Sequence, residues 1–398
     1  MVKTLLCICS IISILLTQNC SEQTQPANNH KKNNKGNSQP QKNNGEIIIN
    51  KTPLISTADP RGIYVATEWQ RPVPEHVFQN KDVDGVFFRL KWAPFNPAKG
   101  KYDFSFLNGE LDKTIAAGKK FSIGITAGSE TPEWVYTQGC KKLRFIEIPL
   151  QGKAEKAVEA DIPVVWDPVF LQSWNDFIDA LAANLKSNPK YYNALTIVKM
   201  TGINFHTAEI RLPAQREISN GKAKSTDAVK LWQSVGYKPS KVLSAWNSIV
   251  DNYNKNFPDK YLSYAMIPDR GFPLIDENGQ AFTKGENEDF TPTLIDAARK
   301  KIGNHFCVQF NALNEKRGTV PYVKDAAKAG IVCGYQLEQV KLNNPPCLQN
   351  NSPCDEEMFK AVLDNGINNG GMFIEIFTKN VLAYPKAIKY GHNKLFNL

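Results

Sequence analysis

This chain has no group of cysteines and histidines at zinc-ligand spacing, no long run of lysine and arginine, and no apolar stretch of bilayer-spanning length. Each absence removes a class of function. Without a ligand cluster, metal ligation has little support, and no cofactor is expected. The net charge of +9 over 398 residues is unevenly placed. Lys3, Lys31, Lys32, Lys35, Lys42 and Lys51 against Glu22 and Glu46 put +4 into residues 1–51, which leaves +9 − 4 = +5 for the remainder. That remainder carries its charge without a basic run, so nucleic-acid binding is not indicated. The apolar run Leu5–Leu16 follows Lys3 and is too short to cross a bilayer comfortably. It reads as part of an export signal over residues 1–19.

Apolar residues are also scarce from Ser21 to about Glu46, which is Asn, Gln, Lys, Ser and Pro. Such a segment cannot bury enough surface to offset chain entropy, so residues 20–50 are expected to form a disordered tether. Cys20 closes Leu16-Thr17-Gln18-Asn19-Cys20, which resembles a loose bacterial lipobox with Asn19 where Gly, Ala or Ser is usual. The expectation is export to a bacterial cell envelope, with lipid on Cys20 as the sole membrane attachment. The alternative is an ordinary secretory signal cleaved nearby. Among the eight cysteines, Cys347 and Cys354 flank a short polar loop that a disulfide would staple in an oxidising compartment. Cys307 and Cys333 lie inside apolar runs and are expected to be packed core thiols.

Residues 51–398 hold eight short apolar runs: Ile63–Thr67, Val86–Trp92, Phe121–Ala127, Leu195–Asn204, Tyr261–Ile267, Phe306–Asn311, Ile331–Gln336 and Met372–Phe377. Most are separated by helix-like stretches, and that alternation gives parallel sheets. Eight units predict an α/β fold of one domain, a (β/α)8 TIM barrel. Turns from helix to strand are short, as at Gly118–Lys120 and Ala329–Gly330. The stretches after strands are long, most clearly Gly128–Trp166 and Asp269–Asp289. Binding residues concentrate in such loops, so function is assigned to the C-terminal face.

Glu209 follows the fourth run and Glu338 the seventh. Two carboxyl groups there are what a retaining glycosidase needs, one as acid/base and one as nucleophile. The acid needs a raised pKa, from a partly apolar pocket beside the second carboxylate. Glu375, inside the eighth run, is a rival nucleophile, because a carboxylate in a strand must be paired or functional. Arg89 within the second run is costly unless paired, and it is placed to orient a carboxylate. Gln336 shares a side with Glu338 by strand alternation. Asn204 and His206 precede Glu209, Asn204 allowing an unusual turn and His206 within reach of a sugar or a carboxyl. Trp69, Trp92 and Trp134 fall at or just past the first three runs, where flat aromatic faces stack on sugar rings. Core packing is the bland alternative for each of them.

These pieces resemble the clan A glycoside hydrolases, the (β/α)8 group of β-galactosidases and cellulases. Gly85–Trp92 followed by Pro94-Phe95-Asn96-Pro97, and Gly118–Ile123 followed by Thr131-Pro132-Glu133-Trp134, carry the likeness. The resemblance implies an acid/base after strand four, here Glu209, a nucleophile ending strand seven, here Glu338, and a strand-two arginine, here Arg89. It implies a carbohydrate substrate and double displacement. The chain departs from the clan at two points: Asn204 and Glu209 are five residues apart rather than adjacent, and Phe377 stands where an aromatic, often Trp, ends strand eight. A surface lipoprotein that binds a glycan or another partner without cleaving it is the alternative. An enzyme acting on a non-sugar substrate is a third.

Overall fold

The computed structural model describes residues 59–148, 157–220, 223–267, 271–282, 290–316, 318–338 and 355–398. Eight parallel strands close a barrel: β1 (Gly62–Ala66), β2 (Gly85–Lys91), β3 (Lys120–Thr126), β4 (Leu195–Lys199), β5 (Tyr261–Met266), β6 (Phe306–Leu313), β7 (Val332–Leu337) and β8 (Gly371–Phe377). Each strand pairs with its sequence neighbours, and β8 returns to β1 with Tyr64 beside Glu375. Every predicted run therefore holds a strand. The runs are legible because a parallel barrel strand is covered on both faces and stays apolar almost throughout. All eight residues of β6 are buried.

Two strands differ in length from expectation by more than one residue. β4 stops at Lys199 although its apolar run continues to Asn204. Gly202 adopts φ 120°, which favours glycine, and its N–H donates to Asn204 Oδ1 at 3.1 Å. The chain bends there and leaves the ladder. β6 runs two residues past its expected end, through a register shift between Phe310 and Leu313 against β7.

Helices cover the outside. Asp167 caps Pro168–Ser187 by accepting from Val169 N at 2.8 Å, and Asp355 caps Glu356–Asn368 by accepting from Met358 N at 2.8 Å. The first of these buries Phe170, Trp174, Phe177, Ile178, Leu181 and Leu185. The main apolar core fills the space between helices and strands. A second, small cluster of Tyr64, Ile197, Cys307, Val332 and Phe373 has no helix residue in it. These side chains alternate with outward ones such as Ile63, Val198 and Val308, so they form the floor of the barrel interior. Cys307 and Cys333 are buried free thiols.

The C-terminal ends of the strands carry the elaborate loops. After β3 come a short helix, Glu133–Thr137, and an antiparallel hairpin, Lys142–Glu147 with Val158–Pro163. Gly128, at φ 28°, packs this loop against the one that follows β4. A Cβ there would lie 1.9 Å from the Phe205 carbonyl oxygen and 2.4 Å from that of Asn204. Both are backbone atoms and cannot swing aside. Gly128→Ala is therefore expected to cost more than about 2 kcal/mol in chemical denaturation, through overpacking and strain together. A loss below about 0.5 kcal/mol, the range of an unremarkable surface change, would show that the two loops do not meet this way.

Candidate active site

Strand alternation decides what stands above the apolar floor. Two residues on from Ile197, Cys307 and Phe373 are Lys199, Gln309 and Glu375, on the same inward faces of β4, β6 and β8. Barrel interiors are usually filled by branched aliphatic side chains; this layer is charged. Lys199 and Glu375 are both 0% exposed, with Nζ 2.7 Å from Oε2. Gln309 Nε2 and Gln336 Nε2 donate to the same oxygen, each at 2.7 Å. The Lys199 ammonium also lies 3.5 Å from the centroid of the Phe87 ring. Burial draws the Lys199 pKa below that of a free lysine, and Glu375 and Glu209 oppose the shift.

The next layer up holds Glu209. After leaving β4 the chain folds back over the strand ends. Ile210 N donates to the Ala265 carbonyl of β5 at 2.9 Å, and Arg211 N to that of Ile203 at 3.1 Å. This return carries Glu209 across to β6, where Asn311 Nδ2 donates to its Oε1 at 2.7 Å. Glu209 is 7% exposed. Burial opposes its ionisation, yet the nearby Thr207 hydroxyl, the Asn311 amide and the field of Lys199 outweigh that, and its pKa falls below the ordinary glutamate value. This direction is opposite to the one a resident general acid requires.

Arg89 reaches the same layer from β2. Its Nε donates to the Thr67 carbonyl at 2.7 Å, and its guanidinium lies over Trp69 at 5.0 Å and over Phe377 at 5.6 Å. Burial lowers the proton affinity of Arg89, while Glu209, Glu375 and Glu68 hold it up. The carboxylates that act on Arg89 and Lys199 together are thus Glu209 and Glu375. Glu338 stands apart from that quartet. It is half-buried just past β7, its N–H donates to the Leu313 carbonyl at 2.9 Å, and its Oε2 accepts from Asn314 Nδ2.

Several buried acceptors have no donor: Glu209 Oε2, Asn311 Oδ1, Gln309 Oε1 and Glu375 Oε1. An unsatisfied buried polar atom costs about 1–3 kcal/mol. Four such acceptors line the inward side of one barrel end, where hydroxyl groups or water would satisfy them. Among the described residues, no group of three or more His, Cys, Asp or Glu side chains gathers where a metal ion would sit.

The other expected residues are placed as follows. Gln336 is inside, on Glu375. Asn204 is fully buried and serves the turn, donating from Nδ2 to the Thr207 carbonyl at 3.0 Å. His206 packs edge-on against Phe205 at 4.7 Å, and its Nδ1 lies 3.3 Å from Arg211 Nη2. Arg211 pairs in two-pronged fashion with Glu147 of the hairpin, at 2.9 and 3.0 Å, rather than with Glu209. His206 borders a polar hollow of about 450 Å³ with Glu130, Tyr136, Arg144 and Asp161. A larger and mostly apolar hollow of about 880 Å³ begins at Ile210, beside Glu209, and runs along Met266, Phe272 and Tyr322. Trp69 is at the mouth. Trp92 is not: it is 0% exposed, packs on Trp134, Trp174 and Phe177, and gives its indole N–H to Asn96 Oδ1. Ligand stacking is closed to it, because β2 ends one residue earlier and the chain turns its ring outward under the helices. The Trp134 N–H is likewise held by the Asn96 carbonyl at 2.8 Å. Cys20, Cys347 and Cys354 lie outside the described residues, as do the export signal and the tether.

Lys199, Gln309, Asn311 and Asn314 were absent from the sequence expectations. A signal was present for three of them: Lys199 is a cation in a strand run, and Gln309 and Asn311 alternate in Val308-Gln309-Phe310-Asn311, as inward polar residues do.

No family model matches the sequence, and no match was found among curated proteins. Among solved structures, the chain is similar to the catalytic domain of a beta-amylase from Paenibacillus polymyxa, with a TM-score of 0.53 and 12% identity over 85% of this chain and 97% of that one. It also matches an exo-beta-1,4-mannosidase from Opitutaceae bacterium strain TAV5, at TM-score 0.46 and 12% identity over 86% of this chain and 61% of that one. A psychrophilic family 10 endo-beta-1,4-xylanase matches at TM-score 0.44 and 14% identity over 80% of this chain and 87% of that one. The last two likenesses are too loose to carry an argument. At its identity, the beta-amylase likeness establishes the (β/α)8 fold alone.

Proposed function

We propose that the protein hydrolyses a glycosidic bond with retention of configuration at the C-terminal mouth of the barrel, with Glu209 and Glu338 as the two carboxyl groups. The observation that carries this reading is the state of Glu209: a buried anion, fixed through Oε1 by Asn311 and held ionised by the Thr207 hydroxyl and the field of Lys199. An anion so held suits the nucleophile. Glu338, half-buried on the neighbouring strand end, then takes the proton-transfer role. In the first step Glu209 bonds to the anomeric carbon while the Glu338 carboxyl protonates the departing oxygen. In the second, Glu338 takes a proton from water, the water oxygen bonds to the anomeric carbon, and Glu209 leaves as carboxylate. This exchanges the roles that the resemblance implies, and the reason is the depressed pKa of Glu209.

A second reading, a barrel that binds a glycan without cleaving it, is favoured by one observation. The inward residue that ends β7 is an amide, Gln336, tied to Glu375. A panel of aryl glycosides and a glycan array separate the two. The enzyme reading expects chromophore release, with the first-formed sugar keeping its anomeric configuration by NMR. Glycan binding with no release from any member would overturn it in favour of the binding protein.

A further inference from the structure

Three amide side chains, two within β6 and one just past it, each hold a different carboxylate. Gln309 donates to Glu375 and Asn311 to Glu209, both at 2.7 Å, and Asn314 donates to Glu338. In a regular strand residues 309, 311 and 313 face inward and 314 outward. The register shift between Phe310 and Leu313 breaks that parity. Leu313 packs outward, its Cδ2 2.9 Å from where a Cβ on Gly366 of the covering helix would lie, and Asn314 comes in beside Glu338. The bulge is thus what lets one strand serve all three acids.

Asn311 is the middle member. Its amide nitrogen faces Glu209, so its Oδ1 points elsewhere, and that oxygen is buried without a donor. Glu209 is also subject to the charges of Lys199 from β4 and Arg89 from β2, which it shares with Glu375 of β8. Of the groups that hydrogen-bond Glu209, which include the Thr207 hydroxyl, Asn311 is the one that engages Oε1.

We propose that Asn311 positions Glu209 by holding Oε1, and presents its own carbonyl oxygen to a hydroxyl group of the bound sugar. The assignment rests on the glycosidase reading for the identity of the ligand, and its positioning half does not.

The test is a ¹³C-NMR titration of the Glu209 side-chain carboxyl, identified by its loss in Glu209→Gln, in the wild type, Asn311→Ala and Asn311→Asp. Asn311→Asp keeps the shape, removes the donor and sets a second carboxyl beside the first, so the Glu209 midpoint should rise by about one unit or more. Asn311→Ala should raise it less. On a turned-over glycoside, Asn311→Ala should lower kcat/KM by about 10-fold or more, with part of the loss in KM because the hydroxyl contact is gone. If Asn311 merely packs, both variants lower the melting temperature and leave the Glu209 midpoint where it was, which overturns the proposal. Should neither variant fold, a wild-type Glu209 midpoint at or above the ordinary glutamate value overturns it as well. Absence of turnover in the wild type, with a midpoint that shifts in the variants, defeats the glycosidase reading alone.

Discussion

Lys199→Met is expected to destabilise the barrel by about 3–5 kcal/mol, because it leaves the Glu375 carboxylate buried without its cation. Both groups are fully enclosed, and the ammonium sits 2.7 Å from Oε2. The amides of Gln309 and Gln336 remain to solvate the anion, and they are neutral. A buried pair is not in itself a large stabiliser, since desolvation of two ions offsets most of their attraction. The expected signature is therefore non-additive. The double variant Lys199→Met with Glu375→Gln, in which both charges are gone and the volume is kept, should recover most of the loss and stand within about 1 kcal/mol of the wild type. Urea denaturation of the four proteins gives the cycle. A cost below about 1 kcal/mol for Lys199→Met alone would mean that the ion pair is not dry, and the charged layer would lose its meaning as a built feature.

The second large effect is on turnover. Under the proposed mechanism, Glu209→Gln removes the nucleophile and should lower kcat by about 10³-fold or more, whatever the leaving group, because no covalent intermediate can form. Glu338→Gln removes the proposed proton donor, worth about 10²–10⁴-fold. That loss should shrink for aryl glycosides whose phenol leaves without protonation, and azide should restore turnover by bonding to the glycosyl-enzyme that accumulates. If the leaving-group dependence and azide rescue instead belong to Glu209, the roles are the reverse of those proposed. The acid limb of the rate profile follows from the same geometry. Because the folded-state pKa of Glu209 is lowered, its ionised form contributes stability above the ordinary glutamate range. That contribution, with the nucleophile, is lost as pH falls below that range and through the folded-state value.

The architecture was readable from the chain because a parallel barrel buries both faces of every strand, which writes each one as a short apolar run bounded by turn residues. The unequal loops were readable for the same reason: short helix-to-strand turns and long returns differ in length alone. The end of the barrel that carries the candidate site followed from them.

The site was readable only in part. Arg89 and Glu375 stood out as charges inside strand runs, yet their partners did not, since Lys199 and Glu375 meet across 176 residues of sequence. Trp92 and Trp69 look equivalent in the sequence. Trp92 is the first residue past β2 and opens a short helix that sends it into the aromatic core, whereas Trp69 lies three residues past β1 and stays under Arg89. Asn314 faces its carboxylate because a bulge reverses the parity of β6, which no period-two pattern reveals.

The sequence by itself determined the eight strands, their order and the end of the barrel on which acids gather, because these depend on local pattern and burial. Which carboxylate is held as an anion, which cation holds it and which tryptophans reach the mouth were decided by the tertiary structure. Those choices depend on distances between strands that are remote in the chain, and on the low dielectric that closing the barrel creates.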